Sequence, residues 1–127
     1  MKILTKDDIF TADDAKLEVV EVPEWGGTIN IIGISGLERD AFEQEIVTSK
    51  TEGARLQNFR ARYLVKCIVD DDKKRMFKDT DAVSLGNKNG AVIGRLFDVA
   101  RKLSGMDDAA TETALKNSQP TQEEDSI

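Results

Sequence analysis

The residues able to do chemistry in this 127-residue chain are carboxylates, lysines, arginines and one thiol, because the sequence contains no histidine. That absence removes the commonest general base, metal ligand and triad partner. The adjacent carboxylates Asp7-Asp8, Asp13-Asp14 and Asp107-Asp108, and the run Asp70-Asp71-Asp72, have the charge to attract a hard cation. None sits in a loop with the central glycine and terminal glutamate of a helix-loop-helix calcium site, so capping and solvated turns account for them better. Gly26-Gly27 and Gly86-Asn87-Lys88-Asn89-Gly90 are glycine-rich, yet neither ends in the Gly-Lys-Ser/Thr of a phosphate-binding loop. Cys67 stands among Leu64, Val65, Ile68 and Val69, where a thiol acts as a small buried hydrophobe. No catalytic residue, metal site or cofactor is expected, and the chain reads as a binding protein rather than an enzyme.

Charge is distributed unevenly. Residues 1 to 47 hold 11 acids against 4 bases, whereas residues 53 to 78 hold 3 acids against 8 bases, in a chain of net charge −6. The basic cluster Arg55, Arg60, Arg62 and Lys66 shares one helix face and, with Trp25, is the candidate partner-binding set. A basic face can attract nucleic acid, but the acidic total and the lack of clustered aromatics favour a solvated face or an acidic protein partner. Trp25, in Pro23-Glu24-Trp25-Gly26-Gly27, is either folded onto the core or offered to a partner.

These side chains must be positioned by elements readable from periodicity. Thr5 and Asp8 have capping-box spacing over a short helical turn at 5–10. Leu17 to Val22 and Thr28 to Ile34 alternate and are β-branched, predicting a hairpin that buries Val20, Val22, Ile29 and Ile31, with Ile32 and Ile34 competing. Ser35 and Glu38 form a second capping box, opening a helix with the stripe Leu37, Ala41, Phe42 and Ile46 that ends by Ser49. Leu56, Phe59, Tyr63, Leu64, Cys67 and Ile68 predict the strongest helix of the chain.

Residues 69–77 read as an exposed charged turn, followed by a short helix capped by Asp79 and stopped at Gly86. Asn89 or Lys88 opens a last helix bearing Val92, Ile93, Leu96, Val99, Ala100 and Leu103, which closes at Ser104-Gly105. The fold class expected is α+β, mainly α: an N-terminal β-hairpin packed on about four helices. Residues 1–105 form a single globular domain and 106–127 a flexible acidic tail, with a transient helix at 108–116. No stretch approaches the roughly 18 apolar residues that span a bilayer, and the start has no apolar signal region, which implies no membrane partner and a cytosolic protein.

The order of these motifs carries a resemblance. Val20 to Thr28 with its Pro-Glu-Trp-Gly-Gly turn, followed by Gly36-Leu37-Glu38-Arg39-Asp40, Asn58-Phe59-Arg60-Ala61-Arg62, Ile68-Val69-Asp70, Met76-Phe77, Asp81 to Gly86, Arg95 to Gly105 and Leu115-Lys116-Asn117-Ser118, resembles small tail assembly chaperones of long-tailed bacteriophages. One departure is Lys73-Lys74, where that family more often has a Gly- or Asn-containing hairpin turn.

The resemblance implies a non-enzymatic late protein of the host bacterial cytoplasm. Such a protein binds the tape measure protein, keeps it soluble, helps recruit major tail tube subunits, and is absent from the mature virion. It also implies a homo-oligomer, and a longer frameshifted form for which the acidic tail would be a tether. The alternatives are a small structural tail or connector protein kept in the virion and, less favoured, a nucleic-acid-binding regulator.

Overall fold

A computed structural model describes residues 1–49, 51, 53 and 57–106, and over them the chain is α+β and mainly helical. In chain order the elements are α1 (Lys6–Thr11), β1 (Leu17–Val22), a 3-10 turn (Pro23–Trp25), β2 (Gly27–Ile32), α2 (Gly36–Val47), α3 (Phe59–Cys67), β3 (Ile68–Val69), a second 3-10 turn (Asp79–Asp81), α4 (Ala82–Gly86) and α5 (Gly90–Leu103). Arg55, Leu56, residues 107–127 and the helix anticipated at 108–116 lie outside the described residues.

The hairpin forms where alternation predicts it, with β1 and β2 antiparallel and Val20 opposite Ile29. Val22 and Ile31 are fully buried, and Val20 and Ile29 are partly so, which selects the Ile29/Ile31 face over Ile32. Side chains alternate along a strand, so within β2 one face is chosen; Ile34, beyond the end of the strand, packs against the core as well. Gly33 then ends β2 against the last helix: a Cβ there would lie 2.4 Å from the Leu103 carbonyl oxygen, so only glycine allows this approach. Beside it the Ile34 amide donates to Ser104 Oγ at 3.1 Å.

Both capping boxes are present. Thr5 Oγ1 accepts from the Asp8 amide at 3.2 Å and Ser35 Oγ from the Glu38 amide at 3.2 Å, each carboxylate returning to the capping residue's own amide. In α2 the buried stripe is Phe42 and Ile46, whereas Leu37 is 82% exposed and Ala41 is also exposed. Leu37 stands five residues before Phe42, about 140° round the helix, so the two cannot share a buried face.

Helix α3 is shorter than its periodicity predicts, because Ile68 leaves it to pair with Ile31 as β3, giving a sheet of order β1-β2-β3. The charged run that follows is a tight reversal. The Asp70 amide donates to the Lys74 carbonyl at 2.8 Å, and Asp70 Oδ1 accepts from the amides of Asp72 and Lys74. Lys73 takes a left-handed φ of 63°, and Val69 bridges Arg75. Pairing across 68–77 is thus kept, with a lysine at a position that favours Gly or Asn.

The core gathers round α3, whose Tyr63, Leu64, Val65 and Cys67 are all buried, and α5, whose Val92, Ile93, Leu96, Phe97 and Ala100 are buried. Burying a side chain such as Leu96 contributes about 2 kcal/mol. Phe42, Phe59, Tyr63 and Phe97 form a ring-to-ring cluster with centroids 5.2 to 5.7 Å apart, tying α2, α3 and α5 together. The packing continues to Met106, which is buried, receives the Tyr63 hydroxyl at its sulfur, and accepts from Arg101 at its carbonyl.

Two local expectations are corrected. The carboxylate that returns to the start of the 79–81 turn is Asp81, which accepts from the Lys78 amide at 2.8 Å; Asp79 instead binds Lys66 and Arg75. Gly86 is the last residue of α4, outside the left-handed region. It is required by closeness: a Cβ would sit 2.0 Å from Asn58 Oδ1.

Candidate protein-binding surface

Trp25 is 36% exposed on the 3-10 turn that closes the hairpin. Pro23 opens this turn and Gly26, at φ 79°, ends it, which fixes the backbone that carries the indole. The turn is fastened from the side by Glu24, whose carboxylate accepts from both terminal nitrogens of Arg95 on α5, at 3.0 and 2.9 Å. Arg95 holds the Glu24 carboxyl down to about 2. The indole forms one wall of an open groove of about 380 Å³ whose apolar lining is completed by Ile29, Phe77 and Leu85, with Asp81 and Lys88 on its rim. An exposed aromatic beside apolar walls and charges of both signs suits an amphipathic peptide segment.

The predicted basic face is placed elsewhere and is largely engaged within the protein. Arg62 pairs with Glu45 at 2.9 Å, its side chain 20% exposed, and Lys66 pairs with Asp79 at 3.1 Å, its side chain 12% exposed. The Lys66 ammonium also stands over Phe42, and the exposed Arg60 guanidinium lies 5.5 Å from the Phe97 ring centroid. Arg62 and Lys66 line a second groove of about 410 Å³ together with Glu45, Val65 and Asp79, so its charge is mixed rather than uniformly basic. The two grooves share no lining residue, and the structure does not unite Trp25 with the basic set. Arg55 is outside the described residues.

Phe77, Ile29 and Leu85 escaped sequence reasoning as surface residues because each also fits a core pattern. Phe77, the first large aromatic after a charged run, is the one that carried a signal.

Two of the acidic clusters serve the backbone, Asp8 capping α1 and Asp70 holding the 70–74 turn, while Asp107-Asp108 lies outside the described residues. Among the described residues there is no group of three or more His, Cys, Asp or Glu arranged to hold a metal ion. Burial pushes the Cys67 thiol up to about 12, leaving it un-ionised at neutral pH. No helix of the described residues is long and apolar enough to cross a membrane.

The solved structure of the bacteriophage HK97 tail assembly chaperone is similar at a TM-score of 0.54 and 20% identity, over 80% of this chain and 92% of that one. No curated protein sequence matches. The family model for phage tail assembly chaperones matches residues 8–117, and the chain belongs to that family.

Proposed function

We propose that this protein binds the tape measure protein of its phage, keeps it soluble while tails are being built, and helps recruit major tail tube subunits. The observation that carries the proposal is the family match across residues 8–117, which spans the hairpin, the helical core and both grooves. The Trp25 groove supplies the chemistry: an amphipathic helix of a long client lays apolar side chains against Trp25, Ile29, Phe77 and Leu85 and its charges against Asp81 and Lys88. Arg60, exposed on α3, adds a second contact outside the groove. The protein acts as a homo-oligomer in the host cytoplasm and leaves before the virion is complete. A longer form made by frameshifting would join a further domain through the segment 106–127.

Co-expression with the tape measure protein tests the proposal. The expected result is co-purification, a clear gain in soluble tape measure protein, and absence of the chain from purified virions. A chain that captures nothing, or that stays in the particle, refutes it.

A further inference from the structure

A third groove, of about 450 Å³, lies between the start of β1, the link from β2 to α2, the reversal after β3 and the end of α5. Four cations line it, Lys16, Lys66, Lys73 and Arg75, against the two carboxylates Asp14 and Glu38. Glu38 is held by its capping box, and Lys66 and Arg75 share Asp79. Lys16 and Lys73 are exposed and make no ion pair among the described residues. The other two grooves have no such surplus: Arg62 and Lys66 pair with Glu45 and Asp79, and the Trp25 groove has one acid, Asp81, for its one base, Lys88. Lys73 also holds a left-handed φ of 63°, so its ammonium is presented from a backbone position that favours Gly or Asn.

The matching charge lies in the same chain. Residues 107–127 carry six acids and one base, so five of the six net negative charges of the sequence fall there, three of the acids in the run Glu123-Glu124-Asp125. That segment begins beside the groove. Leu103 is one of the lining residues, a Cβ on Gly33 would meet the Leu103 carbonyl oxygen at 2.4 Å, and the Ile34 amide donates to Ser104 Oγ at 3.1 Å.

We infer that the run Glu123-Glu124-Asp125 docks into this groove of its own chain, its carboxylates pairing with Lys16 and Lys73. Sixteen residues separate Met106 from Glu123, and a linker of that length spans about 20 Å on average, which holds the run at an effective concentration on the order of millimolar. Exposed ion pairs are individually weak, so the tether makes the contact and salt releases it. The docked acids screen Lys16 and Lys73 from other anions. The Trp25 groove shares no lining residue with this one and stays open, so the inference stands apart from the tape measure reading.

Zero-length carbodiimide cross-linking of the full chain, with the joined peptides identified by mass spectrometry, tests it. The expected links run from Lys16 and Lys73 to Glu123, Glu124 or Asp125, form within one chain when isotope-labelled and unlabelled chains are mixed, and disappear in about 0.5 M salt. A second readout is the rate at which each lysine is acetylated, with Lys88 of the Trp25 groove as the internal reference. In the variant Glu123→Gln, Glu124→Gln, Asp125→Asn, whose changes lie outside the core, acetylation of Lys16 and Lys73 should rise about threefold while that of Lys88 holds. Links spread evenly over Lys88 and the other exposed lysines overturn the inference, as do links from Asp107 or Asp108 alone. Links found only between differently labelled chains overturn it too, since the acidic run then belongs to another copy. Unchanged acetylation of Lys16 and Lys73 in the neutral variant has the same force.

Discussion

Glu24 and Arg95, 71 residues apart in sequence, meet through two parallel hydrogen bonds that hold the Trp25 turn against α5. The Glu24 carboxyl is lowered from 4.5 to about 2 by its hydrogen bonds to Arg95. A depressed carboxyl contributes stability that is complete above 4.5 and is lost as pH falls through about 2. Both side chains are exposed, so the effect is local to the turn. Tryptophan emission should therefore shift between those two pH values. In Arg95→Gln the shift should already be present at neutral pH, with far-ultraviolet circular dichroism unchanged.

Lys73 holds a left-handed φ of 63° in the reversal after β3. A side chain with a Cβ costs about 1 kcal/mol there, and asparagine tolerates the conformation better. Lys73→Asn should raise stability by about 0.5 kcal/mol, and Lys73→Val should lower it by about 1 kcal/mol or more. Urea unfolding of the three proteins checks the order.

Gly86→Ala should destabilise although alanine is the better helix former. Its Cβ would displace the Asn58 side chain, whose Nδ2 donates to the Ala82 carbonyl at 2.7 Å. Losing that bond and crowding α3 against α4 should cost about 1 to 3 kcal/mol. Gly86→Ala paired with Asn58→Gly should recover part of the loss, because the second change removes the clash and glycine accepts the left-handed φ of 53° held there.

Cys67 has its thiol raised from 9.0 to about 12, chiefly by desolvation, so its thiolate fraction near neutral pH falls about a thousandfold. Alkylation should be slow in the native protein and fast in urea. Rapid native labelling would show that α3 and the sheet open readily.

Trp25→Ala and Arg60→Glu should each weaken tape measure capture without unfolding the protein, since both side chains are exposed. Arg62→Glu is a poorer probe because it also breaks the pair with Glu45. Capture at wild-type level by a folded Trp25→Ala protein would remove the groove from the binding surface.

The sequence by itself determined the features whose partners lie within a few residues. The capping boxes Thr5/Asp8 and Ser35/Glu38 and the hairpin turn at Pro23–Trp25 are all of this kind, and the start of α5 is narrowed to Lys88 or Asn89, of which Asn89 is the cap. Each is closed by a side chain three residues or fewer away, or by φ angles that proline and glycine fix. Tertiary structure alone decided the rest. Ile68 and Val69 carry the same apolar pattern in helix or strand, and only β2 beside them makes β3. Arg62 and Lys66 look like a free basic face until Glu45 and Asp79 are brought to them across the chain. Trp25 is only 36% exposed because Ile29, Phe77 and Leu85 meet beside it. A side chain's periodicity reports that it wants a partner; which partner arrives depends on how helices rotate and pack, and that information is spread over the whole chain.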